Sequence, residues 1–252
     1  MPDFNSDDSF FISHITDAFE ISHARNIPKY VGFLSEREKA IVENIKGKSP
    51  DTYCFWGGYE GAKRVFFCAL PLYALPDDYS HFPISAITFR FRLCDHLSHR
   101  DFLGAILSLN IKSETVGDIL VGDGIAVVFV TNAVAPLILN ELCKIGRVGV
   151  KAEIGLPDVL PINEQFEEIH STVASLRCDC VVSAVTGLSR EKAAFLIESK
   201  RFSLNHFECV NVSKLLKEND VLSIRGYGRF ILGECGETTK KGRIKVNIKK
   251  YI

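Results

Sequence analysis

The amino-acid sequence predicts an α+β protein built from three small domains, and three observations carry that expectation. Residues 82–154 alternate strand-like and helix-like stretches in the order β-α-β-β-α-β. Two stretches rich in proline and polar residues, Leu70–Pro83 and Gly155–Gln165, break the chain where linkers fit. Charge is divided unevenly: residues 1–170 carry 15 Lys/Arg against 23 Asp/Glu, and residues 171–252 carry 15 against 8. A net of −8 is thus followed by +7 in a chain whose total is only −1. The expected boundaries are 1–76, 77–163 and 164–252.

The first domain is expected to be α+β, of the α/β type in which helices and strands mix. Phe11, Ile15, Ala18 and Phe19 recur at helical spacing. Ser35 and Glu38 form a capping-box pattern that starts a second helix, and Gly47 is a natural stop. Thr52–Trp56 and Lys63–Leu70 read as strands around Gly57-Gly58-Tyr59-Glu60-Gly61, whose glycines suit a hairpin. A phosphate-cradling loop is the sharper alternative, but no Lys-Ser/Thr helix start follows it.

In the second domain Ile84–Leu93 reads as strand and Arg100–Asn110 as helix. Ile119–Val121 and Ile125–Val130 flank Gly122-Asp123-Gly124 as a hairpin, Asn132–Ile145 reads as helix, and Val148–Ile154 closes as strand. That order is the split pattern of ferredoxin-like folds, which RNA-recognition motifs also use, so the domain is RRM-like. The aromatic stacking platform of such motifs is not evident, because the strands offer only Phe89, Phe91 and Phe129.

The third domain begins with a strand over His170–Leu176 and a short helix near Asp179–Val185. Ser189 is a good N-cap for a helix over Arg190–Ser199, with Ala193, Leu196 and Ile197 as its inward stripe. Phe202–Asn205, Val221–Arg225, Arg229–Glu234 and Arg243–Ile248 read as short strands. The cations sit at turns and helix ends, where a polyanion can be met. Ser189 places free backbone N–H groups beside Arg190 and Lys192, a natural phosphate seat. Lys200 and Arg201 follow the helix. Arg225, Gly226, Gly228 and Arg229 form a basic turn, and Thr239-Lys240-Lys241-Gly242-Arg243 a second one. Any one of these cations alone is more simply a solvated side chain; as a group they point to RNA.

The stretch Asp179–Gly226 resembles the S-four RNA-binding domain, the αL module named for a ribosomal small-subunit protein. The matching residues are Asp179, Leu188-Ser189-Arg190-x-x-Ala193, Leu196-Ile197, Leu204-Asn205 and Asn219-Asp220-x-Leu222-Ser223-Ile224-Arg225-Gly226. The resemblance implies that Ser189, Arg190, Arg225 and Gly226 face RNA, and Asn205 is expected among the RNA-binding residues with them. Lys200 and Asn219 stand where that family usually has glycine. Across nearly the whole chain, further stretches resemble the YlmH family: Phe55-x-Gly57-Gly58-Tyr59-Glu60-x-Ala62, His99-Arg100-Asp101-x-Leu103-Gly104-Ala105, Val116-Gly117-Asp118-Ile119, Gly226-Tyr227-Gly228-Arg229 and Thr239–Arg243. This second resemblance implies a cytoplasmic RNA-binding protein that meets ribosomal RNA or tRNA on the large ribosomal subunit carrying stalled peptidyl-tRNA, in ribosome-associated quality control. It also implies a looser link to cell division.

Other functions are less well supplied by the residues. His99-Arg100-Asp101 imitates a kinase catalytic loop, but Ile106 stands where the asparagine belongs and no Asp-Phe-Gly exists. Asp101 fits a helix start instead. Asp95, His96 and His99 suggest a metal site less well than a polar loop. The eight cysteines form no Cys-x-x-Cys and read as buried hydrophobes. No apolar run reaches the roughly 18 residues of a membrane span, and the acidic N-terminal octet lacks the basic start of a secretory signal. The expectation is a monomer with no catalytic residue, metal or cofactor. An RNA-modifying enzyme targeted by an S-four domain, and an adaptor linked to cell division, stay open as alternatives.

Overall fold

A computed structural model describes residues 6–46, 52–71, 73, 78–162, 166–239 and 242–252. The chain divides into two compact units, Asn5–Asn163 and Glu164–Ile252. The position 76 expected as a domain boundary and Gly47, expected to stop a helix, lie outside the described residues.

The unit over residues 5–163 opens with α1 (Ser6–Arg25), β1 (Lys29–Leu34), α2 (Glu36–Lys46), β2 (Tyr53–Trp56) and β3 (Val65–Ala69). Helix α1 buries Ile15, Ala18 and Phe19, the spacing read from the sequence. Before α2 the Ser35 backbone N–H and hydroxyl both donate to Glu38 at 2.7 Å, and the Glu38 N–H donates to Ser35 Oγ at 3.3 Å. That reciprocal pairing satisfies donors a helix start would leave open. Strand β1 was not expected, because six residues with Gly32 in their midst sit between two helices and carry a weak strand signal. It pairs with β3 to give the antiparallel order β1-β3-β2. Every residue of β3 is buried. Its alternation explains why: Phe67 and Ala69 join the core under α1, while Phe66 and Cys68 face the opposite way.

What they face is the second sheet of the same unit. It is made by β4 (Ile84–Arg90), α3 (His99–Leu107), β5 (Val116–Gly122), β6 (Ile125–Thr131), α4 (Ala135–Glu141), β7 (Lys144–Ile145), β8 (Val148–Gly149) and β9 (Lys151–Ile154). The four-stranded order is β5-β6-β4-β9, and every pairing is antiparallel. Within the β-α-β-β-α-β series this places strands two, three, one and four side by side. The two-residue ladder of β7 and β8 forms its own small hairpin.

The helix expected over Asn132–Ile145 is shorter than read. Pro136 sits in the first turn of α4, where its fixed φ suits a helix start, and Gly146 at φ +57° turns β7 into β8. The His-Arg-Asp stretch starts α3: the Ser98 backbone N–H and hydroxyl donate to Asp101 at 2.8 and 2.6 Å.

Both faces of this sheet are covered. Ile87, Phe89, Ala126, Val128 and Val130 pack under α3 and α4 with Phe102, Ile106 and Ile138. On the other face Val127 and Phe129 pack with Phe33, Phe66 and Cys68 of the first sheet. The β2–β3 loop ties the sheets together. Asp118 on β5 accepts from the Tyr59 hydroxyl at 2.8 Å and from the backbone N–H groups of Lys63 and Arg64 at 2.7 and 3.1 Å. Tyr59 stacks on Phe129 with ring centroids 4.9 Å apart. Gly58 has φ +99°, and a Cβ there would lie 2.3 Å from the Phe129 ring. The Gly-Gly-Tyr and Val-Gly-Asp-Ile stretches are therefore two halves of one joint.

The unit over residues 164–252 comprises β10 (Phe166–Val173), α5 (Cys178–Thr186), α6 (Arg190–Glu198), β11 (Phe202–Leu204), β12 (Phe207–Glu208), β13 (Val221–Ile224), β14 (Gly228–Thr238) and β15 (Ile244–Tyr251). Its six-stranded antiparallel sheet runs β10-β15-β14-β13-β11-β12. The inward stripe of α6 packs on it: Ala193, Leu196 and Ile197 share one core with Val181, Val182, Phe202, Leu222 and Phe230. Lys200 and Asn219 adopt φ +60° and +68°, so both occupy the left-handed conformation for which glycine is the usual choice. Asn reaches that region at little cost, while Lys carries a penalty on the order of 1 kcal/mol.

Replacing Asp118 with Ala leaves two backbone donors and a tyrosine hydroxyl without their acceptor. We expect a loss of about 2–4 kcal/mol in urea titrations of the full chain. An unchanged transition would show that the joint between the two sheets does not depend on this carboxylate.

Candidate nucleic-acid interface

Residues 164–252 hold the cations that the sequence singles out, and local structure fixes several of them. Gly187, left-handed at φ +70°, ends α5. Two residues later Ser189 caps α6, with its hydroxyl accepting from the Lys192 N–H at 3.4 Å. Arg190 is thereby the first residue of α6, close to the start of α5. Its Nε donates to Asp179 Oδ2 at 2.8 Å. Arg177, just before α5, grips the same carboxylate with two donors, Nε to Oδ1 at 3.0 Å and Nη2 to Oδ2 at 3.1 Å. Asp179 is 4% exposed, whereas the side chains of Arg177 and Arg190 are 36% and 56% exposed. A buried carboxylate thus holds two guanidiniums whose outer edges face solvent, and the trio carries one net positive charge.

Burial by itself would raise the Asp179 carboxyl. The hydrogen bonds and charges of Arg177 and Arg190 outweigh it and hold the group below the usual carboxylate range. Arg177 was not among the residues expected from the sequence. The signal available was an Arg-x-Asp spacing immediately ahead of a helix.

A second pair of cations lies at the far end of α6, where the Arg201 guanidinium and the Arg225 backbone hold each other. Arg201 Nη2 donates to the Arg225 carbonyl at 3.3 Å, and the Arg225 N–H donates to the Arg201 carbonyl at 2.9 Å. The turn they flank is made by Gly226 and Gly228 at φ +90° and +114°. A Cβ at Gly226 would lie 3.5 Å from the Arg201 guanidinium. Arg190 and Arg201 are separated by the length of α6, roughly 15 Å at 1.5 Å per residue.

Other expected residues take different places. Asn205 spans Asp220 and the Val221 N–H, both at 2.8 Å, and so pins the β11–β12 turn to the start of β13. Lys200 pairs with Glu208 at 3.1 Å, Lys192 is exposed on α6, and Arg229 lies over the Tyr251 ring at 5.0 Å. Arg243 donates from Nε to Thr172 Oγ1 at 3.0 Å and from Nη2 to the Thr172 carbonyl. Lys240 and Lys241 lie outside the described residues.

The two basic turns stand at opposite ends of the β14–β15 hairpin. Phe230 pairs with Lys250 at one end and Thr238 with Ile244 at the other. Six residues of β15 separate them, roughly 20 Å at about 3.3 Å per residue. Arg243 shares a cleft with Arg190 instead. The cations form separate anchor points along α6 and the hairpin, not one continuous patch.

Comparison with known proteins places the chain. A family model described as "Putative RNA-binding domain in YlmH" matches residues 78–155. The chain is also 29% identical over 251 residues to the ribosome-associated protein quality control protein P2 of Bacillus subtilis (strain 168), covering 98% of this chain and 96% of that protein. The chain is similar to YlmH proteins over residues 78–155. The fold agrees in part with a solved YlmH structure, the cell division protein ylmH from Streptococcus pneumoniae, at a TM-score of 0.54 and 20% identity over 62% of this chain and 95% of that one.

The matched segment 78–155 contains the four-stranded sheet. RNA-recognition motifs stack bases on the sheet face opposite their helices. Here that face carries Val127 and Phe129, at 0% and 1% exposure, under the first sheet. Phe89 points to the other face and packs on Phe102 with centroids 5.4 Å apart. Neither ring is open to a base. Among the described residues no group of three or more His, Cys, Asp or Glu side chains is arranged to hold a metal ion. No described helix is long and apolar enough to cross a membrane.

Because the Asp179 carboxyl is depressed in the folded state, its stabilisation is complete at neutral pH. It is lost as pH falls through the ordinary carboxylate range, near 4, and below it. Asp179→Asn should therefore be less stable than the parent at pH 7, by about 1–3 kcal/mol, and the gap should narrow at pH 3. Thermal melts at the two pH values check this; a gap of equal size at both would contradict the assignment.

Proposed function

We propose that this chain binds structured ribosomal RNA or tRNA through residues 164–252, and that it does so on the large ribosomal subunit carrying stalled peptidyl-tRNA in ribosome-associated quality control. The observation that carries this reading is the set of guanidiniums held by their own neighbours, Arg177 and Arg190 on Asp179 and Arg201 on the Arg225 carbonyl, on a unit with 15 Lys/Arg against 11 Asp/Glu. Cations held in place by their own neighbours lose little side-chain freedom on meeting a phosphate. The succession of a capped helix, a left-handed stop and an Arg-Gly turn supports reading this unit as an S-four domain.

Residues 77–163 are read as an RRM-like domain, and residues 1–76 as an α+β domain packed against it. The strand order two-three-one-four is the ferredoxin-like arrangement, which supports the RRM-like reading. With its sheet face buried, this domain does not stack bases in the usual way, and any RNA contact uses its helices or loops. The relative from Bacillus subtilis, named for quality control on the ribosome and aligned along almost the full chain, supports the cellular assignment. We read the protein as a cytoplasmic monomer that acts by binding, with RNA held mainly through phosphates and shape.

Salt tests this reading. If about five phosphates are met, the affinity for a tRNA or a large-subunit rRNA fragment should fall with a log–log slope on the order of −4. A flat response would remove the electrostatic grip on which the reading rests. Arg225→Ala should weaken binding by about 1–2 kcal/mol, while Phe129→Ala should chiefly destabilise the fold, by about 3–5 kcal/mol. In a lysate the protein should sediment with free large subunits. Migration at its monomer size, with subunits present and intact, would argue against ribosome association.

A further inference from the structure

We propose that the cleft between β10, α5 and the first residue of α6 is a seat for one phosphate group, clamped between Arg190 and Arg243. The proposal rests on the RNA-binding reading and adds a particular site to it. The cleft has a volume of about 380 Å³, and Ser171, Thr172, Ser183, Arg190 and Arg243 supply its polar groups. Among the described residues no carboxylate lines it. Its two cations come from positions 53 residues apart in the chain, and no local sequence pattern would pair them.

Both guanidiniums are oriented before any ligand arrives. Arg190 is held through Nε by Asp179, an arrangement that keeps its two terminal nitrogens for an outside acceptor. Arg243 uses Nε and Nη2 on Thr172, which leaves Nη1. The cleft is thus lined by two fixed forks, one from the start of α6 and one from the turn before β15, together with the hydroxyl-bearing Ser171, Thr172 and Ser183. Charge decides the ligand class. Asp179 offsets one of the two arginines it holds, so Arg177, Asp179 and Arg190 together carry +1, and Arg243 raises the site to +2. That balance, and donors directed from two sides, suit the tetrahedral oxygens of a phosphate. The volume exceeds what a bare anion needs, and the apolar wall of Val173, Ala174 and Ala184 leaves room for the sugar that bears the phosphate.

A phosphate can come from the RNA backbone or from a nucleotide monophosphate, and the full-length protein separates the two. The probes are a fluorescent RNA hairpin of about 20 nucleotides with a 5′-hydroxyl end, followed by anisotropy, and adenosine monophosphate, followed by calorimetry. Arg243→Ala and Arg190→Ala should each weaken hairpin binding five- to tenfold. The double variant should lose less than the product of the two, because one phosphate is shared. Arg243→Gln keeps donors for Thr172 while removing the charge, and serves where the alanine variant fails to fold. Loss of both hairpin and nucleotide binding supports a seat for any phosphate; loss of hairpin binding with no nucleotide binding in the parent supports a backbone seat. Hairpin and nucleotide affinities within twofold of the parent, in folded Arg243 variants, would overturn the proposal. In that event a continued loss in Arg225→Ala would leave the RNA-binding reading standing, whereas no loss there either would take both down.

Discussion

A single buried carboxylate organises the basic unit. Asp179 is the acceptor that Arg177 and Arg190 share, and it joins the start of α5 to the start of α6. An isolated buried charge is costly, so the carboxylate needs its arginines as much as they need it. This mutual requirement keeps two long, flexible cations at a helix–helix corner with their donors turned outward. Ser189 adds the cap that fixes where α6 begins, and Gly187 the turn that brings α6 back beside α5. The chemistry that could grip RNA is therefore a consequence of how two short helices are tied together.

The other unit spends its aromatic and aliphatic surface inward. Its four-stranded sheet has helices on one face and a second sheet on the other, so the platform from which a related fold would read bases is part of the core. Asp118, Tyr59 and Gly58 form the joint that closes it. Several of the residues by which the chain resembles YlmH proteins are thus structural fasteners. These stretches serve packing, and the electrostatic contrast between the two parts of the chain says more about the partner.

Much of this was legible in the amino-acid sequence where the signal is local. Helix α6 follows from an N-cap serine and an apolar stripe, and the β-α-β-β-α-β order follows from alternation and glycine turns. Asn219 announces its left-handed backbone by its side chain. Other features depend on partners far away in sequence. Strand β1 exists because β3 needs a neighbour, and nothing in Lys29–Leu34 says so strongly. Helix α4 is cut short by Pro136 and Gly146, whose effects a count of apolar residues overlooks. Asn205 looked like a binding residue, yet its side chain is occupied in holding a turn. Arg177 was overlooked because its role appears only once Asp179 is seen to be buried. The pairing of Arg190 with Arg243 on one cleft comes from sheet topology, which no local motif encodes.

The central claim is that RNA is held by the fixed cations of residues 164–252 and not by the buried sheet of residues 78–155. Ultraviolet cross-linking of the full chain on large ribosomal subunits, with the attached peptides identified by mass spectrometry, tests this most directly. The account predicts cross-linked peptides from the start of α6, the Arg225–Arg229 turn and the neighbourhood of Arg243, with none from β4 or β6. Cross-links concentrated on β4 and β6, with the C-terminal unit bare, would contradict it.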